Sequence, residues 1–379
     1  MKMRIANIAY YKVNIPFKTS INHNLKKRQC SESLVLEIHT QNGLVGYGEG
    51  APRKYVTGET LENSLEQMPK FLAHLQYLEF EDLEDIQGII DRLPRAFPAL
   101  IAATELALLD ILGKQRNYSI GRIFSNNNEF TPQYSAVLPF LPLQKMNKWL
   151  DLIEAVGFQQ LKLKVGHKND EHFLALVRNR LGSQINIRLD ANRAWSFEQA
   201  IHKIKTLEKY QIDSIEEPLA EEYVEQLTEL SQIVNTPIML DESVCTLEQA
   251  GYYAKHISAS KLRFNLKISK MGGLMAASKV HAFATEKGIA CQLGCNVGET
   301  AILSAAGRIF AQHHQLTALE GSYAPFFMED DIGNESISFA IKGVAKPITG
   351  NGLGIKINSK KLKKYSQTVE PHLSLISQI

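Results

Sequence analysis

Cysteine is scarce in this 379-residue chain: there are four, Cys30, Cys245, Cys291 and Cys295. Four scattered thiols outline no disulfide framework. With no export signal in view, reduced thiols and a cytoplasmic location are expected. Cys291 and Cys295 lack a second Cys/His pair at zinc spacing, which argues against a zinc site. No run of about 18 apolar residues occurs, so no membrane span is expected. The opening Met1-Lys2-Met3-Arg4-Ile5 soon meets polar residues and lacks the apolar core, roughly 7–15 residues, of a signal peptide. An excess of either charge is also missing. The formal net charge is +2, which gives no support for a nucleic-acid partner. The one basic cluster, Lys360, Lys361, Lys363 and Lys364, reads as a solvated face.

What is present is an ordinary globular composition, 44% hydrophobic and 22% charged, on a chain long enough for two domains. The first part reads as mixed α+β. Ile5–Val13, Ser33–His39 and a glycine-punctuated segment from Gly43 to Gly50 look like strands. Leu61–Leu75, Asp82–Leu93 and Ala99–Leu112 look like helices, the last almost wholly apolar and therefore expected to be buried. From about residue 132 short apolar runs alternate with helix-length amphipathic segments, the pattern of repeated βα units. Eight strands are expected: Gln133–Leu138, Gln160–Val165, Ile185–Asp190, Ile212–Glu216, Pro237–Asp241, Leu262–Lys267, Ile289–Gly294 and Leu316–Glu320. Helices such as Phe197–Tyr210 and Glu222–Val234 fit between them. The expected fold class is α/β, a TIM-type (β/α)7β or (β/α)8 barrel over residues 132–325. An α+β capping domain over 1–125 would be joined by the C-terminal segment from about 326 to 379.

Charged residues end these strands at nearly constant spacing. Lys164, Asp190, Glu216, Asp241 and Lys267 follow one another at intervals of 26, 26, 25 and 26 residues, and Glu320 lies 53 beyond Lys267. One interval is one βα unit, so each residue holds the equivalent place at the C-terminal rim, where TIM-barrel sites are built. Strands two and six of a closed eight-strand barrel are opposite, so Lys164 and Lys267 would face each other across the mouth. Asp190, Glu216 and Asp241 would converge between them. Three crowded carboxylates repel and call for a cation; hard oxygen donors favour Mg²⁺, or Mn²⁺ in its place. Strand alternation puts Lys162 on the same inward face as Lys164. Mutual repulsion and the metal are expected to depress the lysine pKa values, freeing one lysine as a base. A metal on one edge and a base on each face suit removal of a proton α to a carboxylate through an enediolate, with Lys162 adding positive charge.

The segments Leu161-Lys-Leu-Lys-Val-Gly166, Arg188-Leu-Asp-Ala-Asn192, Ile215-Glu-Glu-Pro218, Asp241-Glu-Ser243 and Asn265-Leu-Lys267, with Gly272-Gly273 beyond, resemble as a set the muconate-lactonising subgroup of the enolase superfamily. Pro16-Phe-Lys-Thr19 and Thr57-Gly-Glu-Thr60 resemble its capping segments. Within the subgroup the chain is most similar to dipeptide epimerases of the L-Ala-D/L-Glu epimerase type. That resemblance implies an isomerase, a racemase or epimerase acting on amino-acid derivatives. It implies Lys162, Lys164 and Lys267 as catalytic lysines and Asp190, Glu216 and Asp241 as Mg²⁺ ligands, Glu217 taking a place usually held by glutamine. It implies Asn192 and Glu242 as supporting residues, and puts Ser135 where a substrate-contacting threonine is common.

Two departures bear on the substrate. An Asp-x-Asp that holds a substrate ammonium reads here Glu320-Gly321-Ser322. Asn22 stands where glutamate-specific members carry arginine, so a dipeptide other than Ala-Glu is expected. Gly294-Cys295-Asn296-Val297-Gly298-Glu299 is a substrate-facing loop or a plain βα turn. The expected partner is a small molecule, a dipeptide or N-acyl amino acid, in a chain expected to form a homo-oligomer. Alternatives within the subgroup are an N-acylamino acid racemase and a lyase like muconate cycloisomerase or o-succinylbenzoate synthase. A Schiff-base aldolase leaves the three carboxylates unexplained, and a non-catalytic scaffold would require a damaged ladder.

Overall fold

The structure, a computed structural model, describes residues 2–23, 26–75, 78–124, 129–140 and 142–368. An antiparallel sheet is built from Met3–Val13, Ser33–Thr40 and Val45–Gly50, with Ser366–Thr368 and Glu79–Phe80 added along the first strand. Its inner face lies on the helix Pro98–Arg116. Gly46, Gly48 and Gly50 allow that approach, because a Cβ at Gly48 would stand 1.8 Å from Ala103 O. The helix is buried from Ala99 to Gly113, as its all-round apolar sequence demands. Its leading N–H groups are met by the buried Glu59 carboxylate, with Ala99 N at 2.8 Å. A hairpin, Pro16–His23 with Lys26–Cys30, was not anticipated from the sequence.

The second layer is a curled parallel sheet. Ala136–Leu138, Gln160–Lys164, Asn186–Asp190, Ser214–Glu216, Ile238–Leu240, Leu262–Leu266 and Ala290–Leu293 lie side by side in chain order. Among the described residues one longer helix follows each strand: Leu143–Val156, Asp170–Leu181, Phe197–Leu207, Leu227–Ile233, Leu247–His256, Leu274–Glu286 and Ala301–His313, with the short Ile268–Met271 also after the sixth strand. The starts of Phe197–Leu207 and Leu247–His256 are set by reciprocal capping boxes, Ser196 with Gln199 and Thr246 with Gln249.

The expected eighth strand, Leu316–Glu320, makes only single-residue bridges, Leu319 pairing with both Leu293 and Tyr134. It still closes the circle, because Ser135 N donates to Leu319 O and Glu320 N to Leu293 O, each at 2.8 Å. The first strand is likewise shorter than Gln133–Leu138. The tail takes its opening hydrogen bonds, Tyr134 N donating to Gly343 O at 2.8 Å. The form is therefore a (β/α)7β barrel of the TIM type. The tail runs on to Leu353, whose N–H meets Asp110 Oδ1, and to the edge strand beside Met3–Val13. Among the described residues no helix is long and apolar enough to cross a membrane.

Candidate active site

Strand register builds the site. Lys164, Asp190 and Glu216 are direct pairing partners across strands two, three and four, so the even spacing of the ladder becomes side-by-side placement on one rim. Lys162, one alternation earlier, is buried inside the barrel. Its Nζ lies 2.7 Å from Glu320 Oε2, 3.4 Å from Asp190 Oδ2 and 3.5 Å from Glu216 Oε2. Lys164 Nζ donates to Asp190 Oδ2 at 2.7 Å and to Asn192 Oδ1. Across the mouth Lys267 Nζ pairs with Asp241 Oδ2, and Asn265 Nδ2 donates to Glu216 Oε1 at 2.8 Å. The structure thus brings together Lys162, Lys164, Lys267, Asp190, Glu216, Asp241, Asn192 and Glu320. Glu242 is buried beside Asp241, within the field of Lys267.

Two further cations belong to the site and carried no role in the sequence reading. Lys270 is fully buried beneath Asp241, its Nζ donating to Asp241 O at 2.6 Å, Asn265 O at 2.7 Å and Asp241 Oδ1 at 3.0 Å. Arg188 lies below the rim; it donates to Gln292 Oε1, to Glu320 Oε1 at 2.8 Å and to Ser135 Oγ at 2.8 Å. Glu217 faces away from the mouth. It accepts from Asp241 N at 2.7 Å and Ser243 N at 2.8 Å and meets Arg193 at 3.3 Å, which absorbs the extra charge at this usually amidic position.

The remaining candidates are placed differently. Ser135 is fully buried under Arg188 and also donates to Gln160 Oε1. Ser322 is turned to Tyr134 Oη at 2.9 Å and Arg308 Nη2 at 3.1 Å. Asn296 donates through Nδ2 to Ala51 O, and Val297 O accepts from Arg53. Cys295 lies in the same loop, where burial raises its thiol well above the usual range. Asn22 is on the hairpin strand Pro16–His23, and its side chain lies outside the described structure.

The electrostatics correct one expectation. The pKa values of Lys162 and Lys267 are not depressed. Burial alone would lower Lys162, but Glu216, Glu320 and Asp190 outweigh it and hold the amine well above its ordinary value. Lys267 is raised in the same way, Asp241 and Glu242 overcoming burial. Amine–amine repulsion is present between the two but is the smaller effect. Burial first, and then Asp190, push Glu216 up to about 7. Asp241 is held well below the carboxylate range by Lys267 and Lys270 in spite of its burial. Among the described residues no three His, Cys, Asp or Glu side chains stand together closely enough to hold a metal ion as placed, each acid being turned to a lysine. The acids nevertheless lie in one another's field, since both Asp190 and Asp241 raise Glu216. Asn265 Oδ1 and Glu242 Oε2 are buried without a partner. Crowded, partly unsatisfied oxygen donors fit a hard divalent cation.

With that geometry in hand, the comparisons are consistent. Residues 145–361 match the enolase C-terminal domain-like family, and residues 5–124 the N-terminal domain of the mandelate racemase/muconate lactonizing enzyme family. The chain belongs to the enolase superfamily, in that branch. It is 30% identical over 359 residues to a hydrophobic dipeptide epimerase of Enterococcus faecalis, covering 93% of this chain and 99% of that one. It is 27% identical over 368 residues to an N-succinyl-L-Arg/Lys racemase of Bacillus cereus, covering 96% and 98%. A crystal structure of a dipeptide epimerase from E. faecalis V583, complexed with Mg and L-Leu-L-Tyr, superposes with a TM-score of 0.84 at 28% identity. It covers 93% of this chain and 100% of that chain. Epimerases and racemases are isomerases, in keeping with the enzyme class the motifs imply.

Proposed function

We propose that the chain is a metal-dependent epimerase of dipeptides, moving a proton between the two faces of the carbon α to a substrate carboxylate. The observation that carries this reading is the placement of two lysines at the C-terminal ends of strands two and six of one closed barrel, with three acids on the arc between them. Lys164 takes the α-hydrogen as a proton on one face, and Lys267 gives a proton to the opposite face of the resulting enediolate. After one turnover the lysines have exchanged protonation states, so the reverse direction is equally served. Lys162 would lie beside the substrate carboxylate and add positive charge where negative charge grows. Asp190, Glu216 and Asp241 would hold a Mg²⁺ or Mn²⁺ ion, which supplies charge that makes the α-hydrogen more acidic.

A second reading, racemisation of an N-acyl amino acid, is favoured by Glu320. Both of its oxygens are taken by cations, Lys162 and Arg188, so a free substrate ammonium would compete with two bound positive charges. A panel of dipeptides and N-acyl amino acids incubated in D₂O with Mg²⁺ tests both. Deuterium gain at the α-carbon of both epimers, read by mass spectrometry, is expected, and the preferred series separates the readings. No α-exchange across the panel would remove the proposal, and turnover of muconate instead would replace it with a lyase.

A further inference from the structure

The segment from Glu49 to Arg53, where the strand Val45–Gly50 leaves the antiparallel sheet, crosses to the barrel rim beside Lys267. Ala51 N donates to Ser269 Oγ at 2.8 Å, two residues past that lysine. Asn296 Nδ2 donates to Ala51 O at 3.2 Å, and Arg53 Nη2 to Val297 O at 2.7 Å. The Glu49 carboxylate accepts from Thr300 Oγ1 at 2.7 Å, Thr300 N at 2.9 Å and Leu303 N at 3.0 Å. These bonds seize the loops that follow strands six and seven. A second capping element reaches the same unit: Glu105 Oε1 accepts from Met275 N at 2.9 Å, and a Cβ at Gly273 would stand 1.6 Å from Glu105 Oε2.

Lys267 needs such support for a local reason. It stands past the end of strand Leu262–Leu266 and starts a helix of four residues, Ile268–Met271. A single turn is too short to hold itself in place. Lys164, in contrast, is the last residue of a five-residue strand and bonds to Asp190 and Asn192 of the neighbouring unit.

We propose that Ser269, the backbone of Ala51 and Arg53 form a strap through which the capping domain positions Lys267, and not Lys164, for proton transfer. The proposal rests on the two-lysine reading above, and Ser269 and Arg53 act as positioning residues. Ser269→Ala removes the acceptor, and Ser269→Thr keeps it. The measurement is α-hydrogen exchange in D₂O for each epimer separately, with the faces assigned by Lys267→Ala, alongside a Mg²⁺ titration. A displacement of about 1 Å costs up to ~10²-fold in rate. Exchange at the Lys267 face should therefore fall about tenfold or more in Ser269→Ala, while the Lys164 face and the Mg²⁺ titration change little, and Ser269→Thr should recover most of the loss. Should Ser269→Ala fail to fold, Arg53→Met cuts the strap from the other side and should give the same asymmetry. Equal slowing at both faces, or none, would overturn the strap while leaving the two-lysine reading intact. A wild-type protein that exchanges neither epimer would remove that reading and the strap with it.

Discussion

The two sides of the barrel mouth hold chemically identical amines in different ways. Lys164 is fixed by strand register alone: its strand pairs residue for residue with Asn186–Asp190, and its amine bonds to the acid directly opposite. Its side chain keeps 16% of its surface exposed, against 9% for Lys267. Lys267 sits at a strand-to-helix turn, packed over Lys270 and under the capping segment. The strand register of the barrel is enough to place Lys164, whereas the turn that carries Lys267 is also bonded by the capping segment through Ala51 N and Ser269 Oγ. On the reading proposed above, the two faces should respond differently to the same kind of damage.

The sharpest way to break this comparison is Lys267→Ala. General acid–base groups contribute about 10²–10⁴-fold, and epimerisation should fall by that order. Exchange of the epimer whose α-hydrogen faces Lys164 should survive and Mg²⁺ binding should be unchanged. Equal, undiminished exchange of both epimers would refute the two-base assignment. Next in size is Lys270→Met. Removing one partner of a buried ion pair costs about 3–5 kcal/mol, and Lys270 also satisfies two backbone carbonyls. Urea unfolding should register a loss near the lower figure, because Asp241 keeps Lys267. A variant as stable as the parent would show that Lys270 is dispensable to that side. Asp190→Asn acts on the other side, where the acid pairs with both Lys162 and Lys164. Changes even outside the direct ligands of a metal cost about 10–100-fold in affinity. The Mg²⁺ needed for half-maximal activity should rise at least tenfold, and an unaltered titration would remove Asp190 from the ligand set.

The difference between the sides also marks what was legible in the sequence. The ladder from Lys164 to Lys267 could be read because a βα unit has nearly constant length and parallel strands pair in register, which turns spacing into position. Arg188 was open to the same logic, since it precedes Asp190 by two residues as Lys162 precedes Lys164. Lys270 left a signal as well, a lysine in the apolar Ile268-Ser-Lys-Met271 next to paired glycines. The aim of Ser135 and Ser322 was not legible, because partners distant in sequence decide it: Arg188 for one, Tyr134 and Arg308 for the other. The direction of the shift at Lys162 and Lys267 was misjudged for a related reason. Spacing reveals that two amines are close but not that five carboxylates, Asp190, Glu216, Asp241, Glu242 and Glu320, surround them. The eighth strand was placed correctly in sequence and overestimated in length, since its neighbours Leu293 and Tyr134 each offer it a single bridge.

The last test probes the interface itself through pH. Glu105 belongs to the capping helix Pro98–Arg116, and burial pushes its carboxyl up to about 8 although Met275 and Leu274 N–H groups draw it down. A carboxyl raised in the folded chain binds a proton that the unfolded chain has already released. Between about pH 4.5 and 8 the folded state therefore holds more protons, and stability must fall as pH rises, levelling off above the folded pKa. Burial pushes Glu299, also at the mouth, up to about 8, and Glu59 up to about 7, so the parent's slope is a sum. Glu105→Gln keeps a carbonyl acceptor for Met275 N and removes one proton from that sum. Its stability curve should coincide with the parent's near pH 4 and rise above it by on the order of a few kcal/mol at pH 9. Both faces should still exchange, because the strap from Ala51 to Ser269 is untouched. Parallel curves across the whole range would mean that Glu105 is already ionised in the folded chain. Its contact with the turn beyond Lys267 would then be an ordinary charged helix cap rather than a protonated one.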